Sequence, residues 1–103
     1  MDNFFQRAFS VVKQIPESRV STYGQIARMI GEPRKARYVG FAMHQSPGVA
    51  GGVPCHRVVF KDGSLAPGFA FGGPDAQKEL LEAEGVQFLE NGKVDMRHFL
   101  WEA

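Results

Sequence analysis

The residues best suited to chemistry in this 103-residue chain stand side by side. Cys55 follows Pro54 and precedes His56 and Arg57. A thiol becomes a good nucleophile when its pKa falls, and a neighbouring imidazole or cationic group lowers it. Glu84 is the third candidate. In the segment after residue 74, Gln77, Leu80, Leu81 and Glu84 fall at i, i+3, i+4 and i+7, which sets a carboxylate on the inward stripe of a helix. A buried carboxylate needs a partner, and His56 or Arg57 is the obvious one. Together the three side chains would form a nucleophile, a base and an orienting acid. The bland alternatives are a cysteine serving as a small buried apolar residue and a glutamate reaching solvent at a frayed helix end. Residues 53–60 read as a strand, in which neighbours point to opposite faces. Cys55 and His56 would then meet only through a bend near Pro54 or a bridging water.

The elements that must position these groups are mainly helical, with small β pieces. Residues 3–15 read as an amphipathic helix, with Phe5, Ala8, Phe9, Val12 and Ile15 at helical spacing and Pro16 as its stop. Thr22 with Gln25 three residues on fits a capping box, opening a helix to about Ile30 that Gly31 ends. Pro33 sits where a first helical residue is tolerated, and a second helix is expected over residues 34–45, with Ala36, Val39, Gly40 and Met43 inward. Two short helices joined by Gly-Glu-Pro, the second basic at its start, make a helix-turn-helix pattern. Arg37 lies one residue off the inner stripe and should point sideways or outward. Arg34, Lys35 and Arg37 would suit phosphates, and Gly40 permits close backbone approach. Three exposed cations also fit a merely solvated face, and Tyr23 fits a cap or core residue.

Beyond residue 45 the chain is small and turn-prone to Gly52, then runs through the 53–60 strand into a Lys61-Asp62-Gly63 turn. Residues 68–73 form a loop rich in glycine and phenylalanine. Pro74 opens a helix to about Glu84, closed by Gly85. Residues 86–89 and 93–94 flank Asn91-Gly92, a hairpin signal, and Phe99 and Trp101 should pack on the core.

Composition bounds the possibilities. The length suits one domain over residues 1–103, and 44% apolar with 12% aromatic residues argues against disorder. No run approaches the roughly 20 apolar residues of a membrane span. No signal peptide is visible, so a cytoplasmic location is expected. One cysteine excludes an internal disulfide and a thiolate-rich zinc site, and His44, His56 and His98 show no metal-ligand spacing with it. No metal or cofactor is therefore expected. Charge is divided: residues 1–61 carry +6 and residues 62–103 carry −5, which suggests that the first part faces a polyanion.

Three stretches together are informative: Ser21-Thr22-Tyr23-Gly24-Gln25-Ile26-Ala27, Ala36-Arg37-Tyr38-Val39-Gly40 and Pro54-Cys55-His56-Arg57-Val58-Val59. They resemble the DNA-binding domain of O6-alkylguanine-DNA alkyltransferases, and the likeness covers nearly the whole chain from residue 3. The resemblance implies a winged helix-turn-helix that binds the minor groove. It gives Arg37 as the side chain that enters the base stack and Tyr23 as the one that rotates the 3′ phosphate to promote flipping. Cys55 becomes the alkyl acceptor, His56 its activator through water, and Glu84 the group orienting His56. The implied lesion pocket comprises Tyr23, Met43, Ser46, Val53, Pro54, Cys55, Arg57, Ala70 and Phe71, and the partner is double-stranded DNA containing O6-alkylguanine, bound by a monomer.

Some features depart from the transferases. Their N-terminal domain does not precede this segment, Ser46 stands where they carry asparagine, and the longer 68–73 loop lacks their tyrosine. Length, loop and residues 95–101 look instead like the alkyltransferase-like proteins, which bind the lesion without repairing it and flag it for nucleotide excision repair. Those proteins carry tryptophan or alanine where this chain has Cys55. The preferred expectation is a non-enzymatic lesion sensor, with single-turnover alkyl transfer to Cys55 as the alternative. A plain helix-turn-helix regulator or a cysteine hydrolase would leave the Pro-Cys-His-Arg-Val motif or the rest of the chain unexplained.

Overall fold

The computed structural model describes residues 3–45, 51–65 and 74–103. Its order is α1 (Phe4–Val12), β1 (Ser21–Thr22), α2 (Tyr23–Ile30), α3 (Ala36–His44), a 3-10 helix (Cys55–Arg57), β2 (Val58–Val59), α4 (Pro74–Ala83) and α5 (Met96–Phe99). The expected mainly helical class with small β pieces is what the chain adopts.

Asn3 caps α1 by accepting from the Gln6 amide at 2.8 Å. The helix ends at Val12, earlier than the 3–15 reading. Approaching Pro16, the chain tightens into i, i+3 bonds from the Gln14 and Ile15 amides, because the residue before a proline is pushed out of the α region. Ala8, Val12 and Ile15 are buried as expected, while Phe5 and Phe9 pack at the edge.

The start of α2 follows the cap reading only in part. Thr22 Oγ1 accepts from the Gln25 amide at 3.0 Å, but the Gln25 side chain does not reach back to complete a box. It accepts from Ser21 Oγ at 2.7 Å and donates to the Trp101 carbonyl at 2.8 Å, binding the C-terminal tail to this helix. Gly31, at φ 88°, closes α2 with a bond from the Glu32 amide back to the Ala27 carbonyl.

The second helix begins at Ala36, later than expected. Pro33 occupies a turn closed by the Lys35 amide on the Glu32 carbonyl, so Arg34 and Lys35 lie on the connection rather than in the helix. Val39, Ala42 and Met43 form the inward stripe of α3, and Ala36 and Gly40 are only half-buried.

β1 and β2 pair in parallel, with Ser21 opposite Val58 and Thr22 opposite Val59. Val58 joins an apolar cluster with α1, α2 and α3, whereas Val59 joins a second one with Val20, Leu81, Val86 and Val94. Alternation along the strand thus links the two cores. A fully buried apolar side chain of this kind contributes about 1.5–3 kcal/mol.

Two further expectations change. The helix after residue 74 buries Gln77 and Leu81 but leaves Leu80 37% exposed. The Asn91-Gly92 turn reduces to a bridge between Phe88 and Val94, inside which the Leu89 amide bonds the Lys93 carbonyl across Glu90, Asn91 and Gly92, with Gly92 at φ 85°. Three residues ending in a left-handed glycine form the bulged hairpin loop. Phe99 and Trp101 do pack on the cores. The 68–73 loop lies outside the described residues.

Candidate functional site

Cys55 is not in a strand. The Cys55–Arg57 segment is a 3-10 helix, entered through a γ-turn at Pro54 that puts the Cys55 amide on the Val53 carbonyl at 2.8 Å, and the Arg57 amide bonds the Pro54 carbonyl at 3.0 Å. At three residues per turn, neighbouring side chains diverge by roughly 120° instead of 180°, so a bend removes the opposite-face problem of the strand reading. Gln77, whose position but not whose role was legible in sequence, fastens this bend. Its buried Nε2 donates to the carbonyls of His56 at 3.0 Å and Val58 at 3.1 Å.

Cys55 is 3% exposed and His56 1%. His56 Nε2 sits 2.8 Å from Glu84 Oε2. Arg57 forks the same carboxylate, Nε on Oε1 at 2.9 Å and Nη2 on Oε2 at 2.7 Å, and its Nη1 donates to the Ile15 carbonyl at 2.9 Å. That carbonyl is available because α1 has already ended. Glu84 caps the C-terminus of α4, where Gly85 turns left-handed and the Val86 amide returns to the Leu81 carbonyl. A carboxylate at the negative end of a helix is disfavoured, and the guanidinium fork offsets it.

These contacts fix protonation states. Burial pushes the Glu84 carboxyl up, but the hydrogen bonds and charges of Arg57 and His56 outweigh it and hold the group below the usual 4.5. Burial, reinforced by the Arg57 charge, lowers His56 below its usual 6.5 despite the opposing Glu84. An ionised Glu84 can only accept, so neutral His56 carries its proton on Nε2 and keeps a lone pair on Nδ1. Nδ1 is buried and has no hydrogen-bond partner among the described residues. It is an atom able to take up a proton.

Tyr23 opens α2 and packs half-buried against the cluster that contains Met43, Val53 and Cys55. Burial, with the Cys55 charge adding to it, pushes its phenol up to about 12, so it stays a hydrogen-bond donor at neutral pH. Pro54 is half-buried at the entry to the 3-10 helix. The structure therefore brings together Tyr23, Met43, Val53 and Cys55, while Pro54 lines a neighbouring cavity with His56, Arg57 and Glu84. Arg57 turns instead toward α1 and α4. Ser46, Ala70 and Phe71 lie outside the described residues.

Arg37 is exposed on α3, as are Arg34 and Lys35 on the preceding connection. Lys35 bonds Glu32 at 2.8 Å, as does Arg7, and Arg37 makes no ion pair among the described residues. Among the described residues no group of three or more His, Cys, Asp or Glu could hold a metal ion, and no helix is long and apolar enough to cross a membrane. Sequence reasoning missed Phe60, whose ring lies 5.1 Å from that of Tyr23.

A helix-turn-helix with outward cations, backed by a thiol beside a His–Glu–Arg cluster, defines a small DNA-binding domain built around a potential nucleophile. Residues 3–86 match the model of the 6-O-methylguanine DNA methyltransferase DNA-binding domain, and the chain belongs to that family. It is 40% identical over 102 residues to the DNA base-flipping protein of Vibrio parahaemolyticus, covering 99% of each chain. The structure of S. pombe Atl1 in complex with damaged DNA containing O6-carboxymethylguanine superposes with a TM-score of 0.82 at 37% identity, covering 100% of this chain and 98% of that one. Identity to the methylated-DNA–protein-cysteine methyltransferase of Methanosarcina acetivorans is 42% over 82 residues, 80% of this chain but 51% of that protein.

Proposed function

We propose that this chain is an alkyltransferase-like damage sensor that binds O6-alkylguanine in double-stranded DNA through the minor groove, flips the lesion nucleotide and holds it for nucleotide excision repair proteins. One observation carries this reading. The same short helix, α3, presents exposed Arg37 outward and buries Met43 in the cluster that holds Cys55, with Tyr23 packed beside it. A side chain to fill the gap in the base stack and a wall of the receiving pocket thus share one rigid element.

In this reading Arg37 enters the stack and Tyr23 turns the 3′ phosphate. Arg34 and Lys35 hold the backbone, with Gly40 allowing close approach. Met43, Val53, Pro54 and Cys55 line the pocket, to which Ser46, Ala70 and Phe71 are also assigned. Extracting a base costs a few kcal/mol, least for a weakly paired lesion, which favours O6-alkylguanine. Similarity over the whole chain to the DNA base-flipping protein, and to Atl1 in complex with DNA containing O6-carboxymethylguanine, supports a sensor.

A second reading is favoured by the buried Nδ1 of His56, unpartnered among the described residues, in the residue that follows Cys55 in the chain. The thiolate would attack the alkyl carbon, forming an S–C bond as the bond to guanine O6 breaks. Guanine would leave with the electron pair and receive the proton lost by the thiol. The alkylated cysteine would end the protein's activity.

The deciding experiment incubates the protein with an oligonucleotide containing O6-methylguanine and measures intact mass. Tight lesion-selective binding at unchanged mass is the expected result. A stoichiometric gain of one methyl, lost in Cys55→Ala, would establish transfer. No preference for the lesion would overturn both readings.

A further inference from the structure

We infer that Phe60 is the residue that positions Tyr23, holding its ring in the orientation used to flip the lesion nucleotide. This rests on the flipping role proposed for Tyr23.

The pairing of β1 with β2 brings the two rings together. Ser21 opposes Val58 and Thr22 opposes Val59, so Tyr23 and Phe60 leave the ladder next to each other. Their ring centroids are 5.1 Å apart with planes at 53°, within the favourable range for tilted aromatic pairs. Val58 and Val59 are fully buried, yet Phe60 is 41% exposed. A large apolar side chain at the rim of the site covers one side of Tyr23 and leaves its own other side open.

The backbone of Phe60 is held from the far side. Its amide donates to the Ser64 carbonyl at 3.0 Å, and its carbonyl accepts from the Gly63 amide at 2.8 Å. Asp62 clamps this turn by accepting from the Ser64 amide at 2.9 Å, from Ser64 Oγ at 2.6 Å and from Lys93 Nζ at 2.9 Å. Gly63 is seated so closely on the second core that an added Cβ would lie 2.6 Å from the Val94 carbonyl oxygen. A clamped turn thus supplies a fixed wall against which the Tyr23 ring rests. Tyr23 gains order from Phe60 before any DNA arrives, which lowers the cost of ordering it on binding.

The test compares Phe60→Ala, Phe60→Leu and Phe60→Trp in otherwise wild-type and Tyr23→Ala backgrounds. It reads the ratio of affinities for O6-methylguanine and undamaged duplexes, with the fluorescence of 2-aminopurine next to the lesion reporting unstacking. Phe60→Ala is expected to lower the ratio about three- to tenfold, as removal of an aromatic pair does. Phe60→Leu, which keeps apolar bulk and secures the fold, should show a similar loss, and Phe60→Trp should restore the ratio. In the Tyr23→Ala background none of the three should change it further. An equal loss in that background, or equal ratios for leucine and tryptophan, would overturn the positioning role while leaving the lesion reading intact. If Tyr23→Ala itself leaves the ratio unchanged, the flipping role of Tyr23 and the positioning role of Phe60 both fall.

Discussion

His56 Nε2 lies 2.8 Å from Glu84 Oε2, and this one contact sets the proton inventory of the site. Because Arg57 forks the same carboxylate, Glu84 stays ionised, His56 is neutral with its proton on Nε2, and Nδ1 is left as the basic atom. The same cluster ties the 3-10 helix to the end of α4 and, through the Ile15 carbonyl, to the turn that follows α1. It is therefore both a chemical device and a clasp.

Removing the acceptor should open that clasp. Glu84→Ala leaves a mostly buried guanidinium without its anion, and a stability loss of about 2–3 kcal/mol is expected, below the range for fully buried pairs because both side chains keep some solvent contact. A urea titration checks it: the midpoint should fall at an unchanged m-value.

Acid should weaken the fold by two routes of the same sign. His56 and Glu84 both have folded pKa values below their unfolded ones, so the unfolded chain binds more protons and stability rises with pH. The contribution is complete above pH 6.5, declines below it as His56 protonates preferentially in the unfolded chain, and declines further below the 4.5 of an ordinary glutamate. Glu84→Gln removes the influence that raises the His56 pKa. An NMR titration should place that imidazole lower still, and a rise would contradict the arrangement.

Two glycines with nearly the same φ should respond differently to alanine. Gly31 at φ 88° has open space around an added Cβ, so Gly31→Ala should cost about 1 kcal/mol of left-handed strain. Gly63, also at φ 88°, would add a 2.6 Å approach to the Val94 carbonyl oxygen. Gly63→Ala should therefore cost about 2–3 kcal/mol or more. Thermal melts of the two variants side by side decide it.

The cations before and within α3 should separate by assay. Arg34→Ala is expected to weaken lesion and undamaged duplexes alike and to reduce the slope of log affinity against log salt by about 1, as loss of one phosphate contact does. Arg37→Ala should instead reduce lesion selectivity, because the gap left by flipping goes unfilled. Full lesion affinity in Arg37→Ala would remove it from that role.

What the sequence determined by itself is local. The caps and stops at Thr22, Gly31 and Gly85 were legible because each depends on nearby backbone bonds and a left-handed glycine. The Pro-Cys-His-Arg-Val run marked the site, and the i, i+7 spacing of Gln77 and Glu84 put both on one face of a helix. Tertiary structure decided the rest, since it depends on partners distant in sequence. Cys55 and His56 read as strand because their apolar flanks look extended; the Gln77 amide, 21 residues from His56, helps hold them in a 3-10 bend instead. Leu80 looked as inward as Leu81, but the reach of Gln77 to two carbonyls and of Arg57 to Glu84 fixes the rotation of α4 and leaves Leu80 at the rim. Phe60 gave no signal in the sequence. Only the parallel register of two short strands sets it against Tyr23, because strand pairing is a long-range contact that local residue patterns do not encode.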